Sequence, residues 1–226
     1  MPDMEVRDLF DLTKTLAAPL FEDVRYPWEV LKEIKAFIRA LGARLSPDEY
    51  ERKGEDIWIA RDALVFPSVY IEGPTIIGRG AQIRHSAFIR GSALVGAGAV
   101  VGNSTELKNV ILFDEVQVPH FNYVGDSVLG YKAHMGAGAI TSNVRSDKRN
   151  IVVHAPDGDI ETGLRKFGAM LGDHVEVGCN SVLNPGTVVG PHSIVYPTSS
   201  VRGVVPAYSI HKHSGAIIPR IMEDRG

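Results

Sequence analysis

From Ile59 onward an aliphatic residue returns at every sixth position: Val65, Ile71, Ile77, Ile83, Ile89, Val95, Val101 and Leu107 follow in register. Four places after each of the first eight stands a small or β-branched residue: Ala63, Val69, Thr75, Ala81, Ala87, Ala93, Ala99 and Thr105. A period of six fits neither a helix nor a lone strand. It marks a repeat architecture. Each hexad predicts one short strand and one corner. Three hexads then carry the chain back over its start, about 4.8 Å higher, which is the spacing of neighbouring strands. The aliphatic residue points into a triangular prism, and the +4 residue points inward near a corner with little room. Coils of this kind bury their apolar side chains only by stacking on one another. Gly78, Gly96 and Gly102 follow aliphatic positions directly and are expected where the backbone turns.

The register slips by one at Leu112. Leu112, Val118 and Val124 form a second phase, and Leu129, Met135 and Thr141 a third. An irregular coil inside a strict prism is expected to have a functional reason. Residues 142–170 leave the repeat. Asp157-Gly158 predicts a tight turn between Ile151-Val152-Val153 and Ile160, and hence a protruding hairpin-like loop of functional length. The repeat resumes at Leu171, Val177, Leu183, Val189, Val195 and Val201, with Val175, Ser181, Thr187, Ser193 and Ser199 at the +4 sites. Pro206 and Pro219 flank a tail expected to close the open end of the prism.

Upstream of the repeat, Leu9, Leu12, Leu16 and Leu20 predict an amphipathic helix over 8–22, and Leu31, Ile34, Ile38 and Leu41 a second over 27–42. Pro27 suits a first helical position and Gly42 a C-terminal stop. Ser46 to Gly54 reads as a connector. The expected fold is mainly β: a parallel β-helix over 55–205 with a loop excursion at 142–170, preceded by an N-terminal helical segment (1–54) and followed by a capping tail (206–226). The two helices are expected outside or at one end of the prism.

With 24 basic and 27 acidic residues the formal charge is -3, which points away from nucleic acid and anionic membranes as partners. The single cysteine, Cys179, allows no intrachain disulfide and fits a reducing compartment. The acidic N-terminus lacks a secretory apolar core, and no apolar run approaches the roughly 20 residues of a membrane helix. A soluble cytoplasmic protein is expected.

The irregular stretch reads Thr105-Glu106-Leu107-Lys108-Asn109, then Pro119-His120-Phe121-Asn122-Tyr123-Val124-Gly125-Asp126, then Gly136-Ala137-Gly138-Ala139-Ile140-Thr141-Ser142-Asn143. It resembles the acetyltransferase half of bacterial bifunctional N-acetylglucosamine-1-phosphate uridyltransferases, which carry ELKN, HxxYxGD and GAGTITxN motifs at this spacing, both slips included. Gly163-Leu164-Arg165-Lys166-Phe167-Gly168-Ala169-Met170-Leu171-Gly172-Asp173 looks more like the archaeal bifunctional sugar-1-phosphate enzymes. The hexapeptide fold of these families implies a left-handed coil, against the usual right-handed crossover rule, and a homotrimer with its sites between neighbouring prisms. The activity implied is acetyl transfer from acetyl-CoA, as co-substrate, to the amine of a glucosamine-1-phosphate-like amino-sugar phosphate.

By the same resemblance His120 matches the catalytic base, Glu106 the carboxylate that supports it, and Asn143 a residue beside the acetyl group. The chemistry suits them: an attacking amine must shed a proton near neutral pH, and an amide N–H can stabilise the developing oxyanion. Arg90, Lys108 and Tyr123 match the sugar-phosphate pocket, where cations and a phenol suit a phosphate. Arg149 falls where the bacterial enzymes have a lysine, and His134 where they have a substrate-binding asparagine. Ala137 matches a backbone contact to acetyl-CoA, and Arg165 with Lys166 could grip the phosphates of coenzyme A. Val144 replaces a tyrosine of the family. No Gly-rich nucleotidyltransferase loop occurs in the first 55 residues, so uridylyl transfer is not expected of this sequence.

Plainer readings exist for each residue taken singly. His120, Arg90 and Lys108 could be exposed corner residues. Gly96-Ala97-Gly98 and Gly136-Ala137-Gly138 read as repeat corners, since no strand–loop–long-helix context surrounds them. Two other functions also fit the fold. One is a zinc hydrolyase like γ-class carbonic anhydrases, with His85 and His120 as ligands, although the third ligand position holds Gly125. The other is a non-catalytic sensor that keeps the sugar-phosphate pocket.

Overall fold

The computed structural model describes residues 4–221; the outer ends of the expected helical segment (1–3) and tail (222–226) lie outside the described residues. The repeat folds as a left-handed parallel β-helix of triangular section. One face stacks Ile57–Ala60, Thr75–Ile77, Ala93–Val95, the second halves of Glu106–Leu112 and Tyr123–Leu129, then Ala169–Leu171, Thr187–Val189 and Val204–Val205. The second face runs from Leu64–Val65 through Gln117–His120 and His134–Met135 to Ser209–His211. The third holds Tyr70–Ile71, Phe88–Ile89, the first halves of the two seven-residue strands, Ile140–Thr141, Val182–Leu183 and Ser200–Val201.

The aliphatic series from Ile77 to Leu107 is fully buried, as are Leu112, Val118, Val124, Leu129, Met135 and Thr141. Each such aliphatic side chain contributes about 1.5–3 kcal/mol by leaving water. The first coil differs: Ile59 and Ile71 are half-buried and Val65 is exposed, because no coil lies beneath them. Gly78, Gly96 and Gly102 do not need a left-handed backbone. They are required by close approach, since a Cβ on Gly102 would strike the Pro119 backbone in the next coil. The left-handed corner positions fall elsewhere, on residues such as Ser86, Phe121, His174 and Gly80.

Both register slips have one cause. In Glu106–Leu112 and Tyr123–Leu129 a single left-handed residue makes the third corner, Asn109 (φ 53°) in one and Asp126 (φ 48°) in the other. Asn and Asp tolerate this backbone better than most residues. Each strand therefore bends through the corner unbroken and its coil is one residue short. One coil later the chain leaves through this same corner. The excursion contains an antiparallel pair, Val152–Ala155 with Gly158–Glu161, whose turn residues are Pro156 and Asp157 rather than Asp157-Gly158. The hairpin does not protrude. Ile151 and Val153 are fully buried, and Gly186 and Gly203 of the prism pack against its backbone and side chains.

The first face carries an outward apolar stripe as well: Trp58, Ile76, Leu94, Ile111, Val128, Met170, Val188 and Val204 are all buried. The helix Ile34–Gly42 covers its lower coils, and Pro27–Lys32 lies against Tyr123–Leu129. The hairpin covers the top. The expected helix over 8–22 is absent. Short turns at Val6–Leu9, Leu12–Lys14 and Ala18–Phe21 replace it, and the first part of the second helix, Pro27–Lys32, is a 3₁₀ helix. Pro19 removes a helical donor. The prism supplies other partners: Asp173 accepts from the Asp11 N–H (2.7 Å) and donates its own N–H to Leu9 O (3.0 Å), and Asp114 N–H donates to Lys14 O (3.0 Å). Phe10 and Phe21 pack on Phe113 at ring distances of 5.0 and 5.9 Å. Docking overrides helical periodicity here.

The connector also differs. Tyr50–Gly54 is a strand that pairs antiparallel with Ile57–Ala60 and caps the first coil's edge. At the far end Ser209–His211 pairs antiparallel with Ile217–Pro219. No helix among the described residues is long and apolar enough to cross a membrane.

Candidate active site

Strand Gln117–His120 ends at the second corner, where Phe121 takes a left-handed backbone (φ 51°). His120 is thereby turned outward and is exposed. Asn122, which is 2% exposed, holds this corner. Its Oδ1 accepts the His120 N–H at 3.1 Å, and its amide donates to Gly136 O (2.8 Å) and Ala139 O (3.0 Å). The corner above is stacked directly on it, with Gly138 N–H donating to His120 O at 3.0 Å. The His120 imidazole and the Ala137 backbone thus share one corner column. Among the described residues no side chain hydrogen-bonds that imidazole.

The second group forms at the third corner. Asp126, 6% exposed, accepts the Asn109 amide on Oδ1 (2.9 Å) and the Asn143 amide on Oδ2 (2.6 Å). Asn109 also donates to Leu31 O at 3.0 Å, so the N-terminal segment is tied to the same cluster. Asn143 donates its other amide hydrogen to the Tyr123 hydroxyl at 3.2 Å. Gly125 makes room for this contact: a Cβ there would meet the Tyr123 hydroxyl and the Asn143 amide nitrogen at 2.5 and 2.9 Å. Burial pushes the Tyr123 phenol above its usual value, and the Asp126 charge adds to this while the Asn143 donor opposes it. The phenol stays protonated, with its hydrogen free to point outward.

Arg90 pairs with Glu106 at 2.7 Å, and its guanidinium lies over the Phe88 ring at 5.8 Å. The Glu106 carboxylate therefore holds Arg90, not His120, within one chain. Lys108 lies beside Gly125 in the strand pairing. Burial presses its ammonium below the usual lysine value; Asp126 opposes the shift, and the nearby Lys166 ammonium reinforces it.

The remaining expected residues are dispersed. His134 lies on the second face and bonds Glu176 at 2.7 Å, inside an open cleft of about 680 Å³ that it shares with Lys132, His174, His192 and Arg220. Arg149, with a side chain 82% exposed, sits 4.0 Å from Asp147 on the excursion. Arg165 and Lys166 are both exposed near the end of the excursion. His85 and His120 occupy the same corner column two coils apart, and among the described residues no three metal-ligating side chains converge. Sequence reasoning quoted Asn109, Asn122 and Asp126 without giving them roles. The two short steps, Leu107 to Leu112 and Val124 to Leu129, were the available signal, because Asn109 and Asp126 fall within them.

Residues 71–205 match the family described as the GMPPB C-terminal domain. Among curated relatives, a bifunctional sugar-1-phosphate nucleotidylyltransferase/acetyltransferase of Sulfurisphaera tokodaii is 35% identical over 99 residues, 44% of this chain and 25% of that protein. A bifunctional protein GlmU of Methanococcus maripaludis is 30% identical over 177 residues, 77% of this chain and 43% of the relative. The chain thus spans less than half the length of these relatives. Among solved structures, the acetyltransferase domain of PglB from Neisseria gonorrhoeae in complex with acetyl coenzyme A has a TM-score of 0.37 at 17% identity, covering 73% of this chain and 57% of that one. The polysialic acid O-acetyltransferase OatWY has a TM-score of 0.38 at 14% identity, covering 75% and 90%. With residues 71–205 matched, more than half of its length, the chain belongs to the GMPPB C-terminal domain family.

Proposed function

We propose that this chain is an acetyl-CoA-dependent N-acyltransferase acting on an amino-sugar phosphate. The observation that carries the reading is the convergence of Lys108, Tyr123 and Asn143 around Gly125, one corner along the same coil from an outward His120. The curated relatives support it, since both are bifunctional proteins and one bears acetyltransferase in its name.

In the proposed reaction the sugar amine attacks the thioester carbonyl of acetyl-CoA. A C–N bond forms and the carbonyl electrons move onto oxygen. His120 takes the proton that the amine sheds. The Asn143–Tyr123 hydrogen bond is the longer of the two amide contacts, so that amide hydrogen is the one a substrate oxygen can take over. Collapse of the tetrahedral species breaks the C–S bond, and the coenzyme A thiolate leaves and is protonated. Arg90, held by Glu106, and Lys108 neutralise the acceptor's phosphate. The Ala137 backbone and Arg165 are assigned to acetyl-CoA.

His134 and Arg149 stand apart from this cluster in one chain. We assign them to the site of a neighbouring protomer, in a threefold assembly that brings the second face of one prism to the third face of the next. A cytoplasmic setting fits this co-substrate. A second reading, ligand binding without turnover, draws on two observations: among the described residues the His120 imidazole has no orienting side chain, and both Asn143 amide hydrogens are engaged.

Thiol release from acetyl-CoA, measured with a panel of amino-sugar 1-phosphates, tests the proposal. Turnover that disappears in His120→Ala while the fold persists is the expected result. Binding of the sugar phosphate with no thiol release in the wild type would establish the second reading instead.

A further inference from the structure

The third face carries an outward ladder that runs down from the candidate site. Strand pairing sets Tyr123, Glu106, Phe88 and Tyr70 one below another, while their inward neighbours Val124, Leu107 and Ile89 are fully buried. A second outward column stands beside it. Lys108 lies next to Gly125 in the strand pairing. Arg90 N–H donates to Leu107 O one coil lower, and Glu72 N–H donates to Ile89 O one coil lower still, both at 2.8 Å.

The chemistry changes along the ladder. Lys108 and Arg90 put two cations on successive coils. Arg90 gives one terminal nitrogen to Glu106 at 2.7 Å, and its guanidinium has further N–H donors for an anion. Below them the chain places rings in water: Tyr70 is 56% exposed and Phe88 38%, and they meet edge to face at 5.6 Å. The Arg90 guanidinium lies over Phe88 and so joins the cationic stretch to the aromatic one. Glu72 is exposed beside Tyr70, whose hydroxyl donates to it at 3.4 Å, and the carboxylate has further acceptor capacity. Apolar surface rimmed by polar groups marks a binding site. Each coil rises about 4.8 Å, so Tyr70 and Glu72 lie about 10 Å below Lys108. A sugar 1-phosphate ends among the cations. A diphosphate followed by a ribose reaches the rings.

We infer that the acceptor is a nucleoside-diphosphate-linked amino sugar, and that Tyr70 and Phe88 form the platform on which its base stacks. Lys108 and Arg90 take the two phosphates in turn, and Glu72 accepts from the ribose hydroxyls. The amino-sugar end rests on the acyl-transfer reading; the nucleoside platform does not. Tyr70 and Phe88 are specificity-determining residues: they favour the nucleotide-linked sugar over the 1-phosphate.

The test is calorimetric titration of the full-length protein with UDP, dTDP, GDP and glucosamine 1-phosphate, with light scattering on the same samples. Thiol release is measured in parallel with glucosamine 1-phosphate and with the three nucleotide-linked glucosamines. We expect at least one nucleotide to bind, and its affinity to fall about tenfold in Tyr70→Ser and in Phe88→Ser, while glucosamine 1-phosphate affinity stays within about twofold. Tyr70→Phe keeps the ring and should keep most of the nucleotide binding. Both rings are exposed, so the variants should fold. Failure of all three nucleotides to bind the wild type, or unchanged nucleotide affinity in both serine variants, would overturn the inference. So would a drop in particle mass accompanying the loss, since the rings would then be a contact between protomers. Nucleotide binding that depends on Tyr70 and Phe88 in a protein that releases no thiol would sink the acyl-transfer reading and leave the platform standing. Thiol release that gains nothing from a linked nucleoside would do the reverse.

Discussion

Asn143 gives one amide hydrogen to Asp126, at 2.6 Å, and the carboxylate's other oxygen takes the amide of Asn109. A buried acceptor with two inward donors leaves no place for a donor of its own. Asp126→Asn would turn an NH₂ toward one of these amides. We expect a stability loss of about 1–3 kcal/mol from the stranded donor and a fall in kcat larger than any change in acetyl-CoA KM. Chemical denaturation and steady-state kinetics check the two parts.

His120 and Asn143 divide the chemistry differently. Loss of a positioned base costs about 10²–10⁴ in rate, and loss of one oxyanion donor about 10²–10³. His120→Ala should keep its melting temperature, since the imidazole has no hydrogen-bond partner among the described residues. Asn143→Ala should also melt lower, because it unpairs Asp126. Thermal denaturation alongside thiol-release assays separates these outcomes.

Glycines divide by cause. Gly102 has the Pro119 backbone where a Cβ would go, whereas Gly80 (φ 62°) has open space. Gly80→Ala should cost about 1 kcal/mol through its left-handed backbone. Gly102→Ala forces neighbouring coils apart and should cost about 3 kcal/mol or more. Urea midpoints would rank the two, and equal costs would contradict the close-approach argument.

Acid should weaken the upper coils. His174 and His192 stack at 4.7 Å, and His192 stacks on Tyr208 at 4.9 Å. Burial pushes both imidazoles below the ordinary value of 6.5, helped by Lys132 for the first and by His174 and Arg220 for the second, and opposed by Glu115 and Asp173 respectively. With folded values depressed, the unfolded chain takes up protons first as pH falls. Their contribution is complete above 6.5 and is lost as pH drops through the folded values. Melting temperature should fall between about pH 7 and pH 5, and less steeply in His192→Gln.

The prism was legible because burial on all three faces obeys a single short period, from Ile59 to Val201. The slips were legible as anomalies, but their cause needed backbone angles at Asn109 and Asp126. The stretch over 8–22 misled because its leucines mimic a helix while Asp114 and Asp173 supply hydrogen-bond partners for Leu9, Asp11 and Lys14. An eighteen-residue recurrence, Trp58, Ile76 and Leu94, was also present and went unread, since it sits among residues expected to face out. At the candidate site the motif spacing singled out His120, Tyr123 and Asn143, of which the structure joins the last two by a hydrogen bond. The place where the chain rejoins the prism depends on how a 27-residue detour between Thr141 and Ala169 returns, and no local pattern encodes that.

Trp58, Ile76, Leu94, Ile111 and Val128 form a greasy seam that the amino-terminal segment zips shut. Cutting the chain down to its repeat, as one would for a minimal domain, would bare that seam along most of the column's height. Such a fragment should clump rather than dissolve. The seam also bears on the proposed threefold assembly: with one flank sheathed by the chain's own amino-terminal segment, a neighbouring protomer would have only the other two to grip.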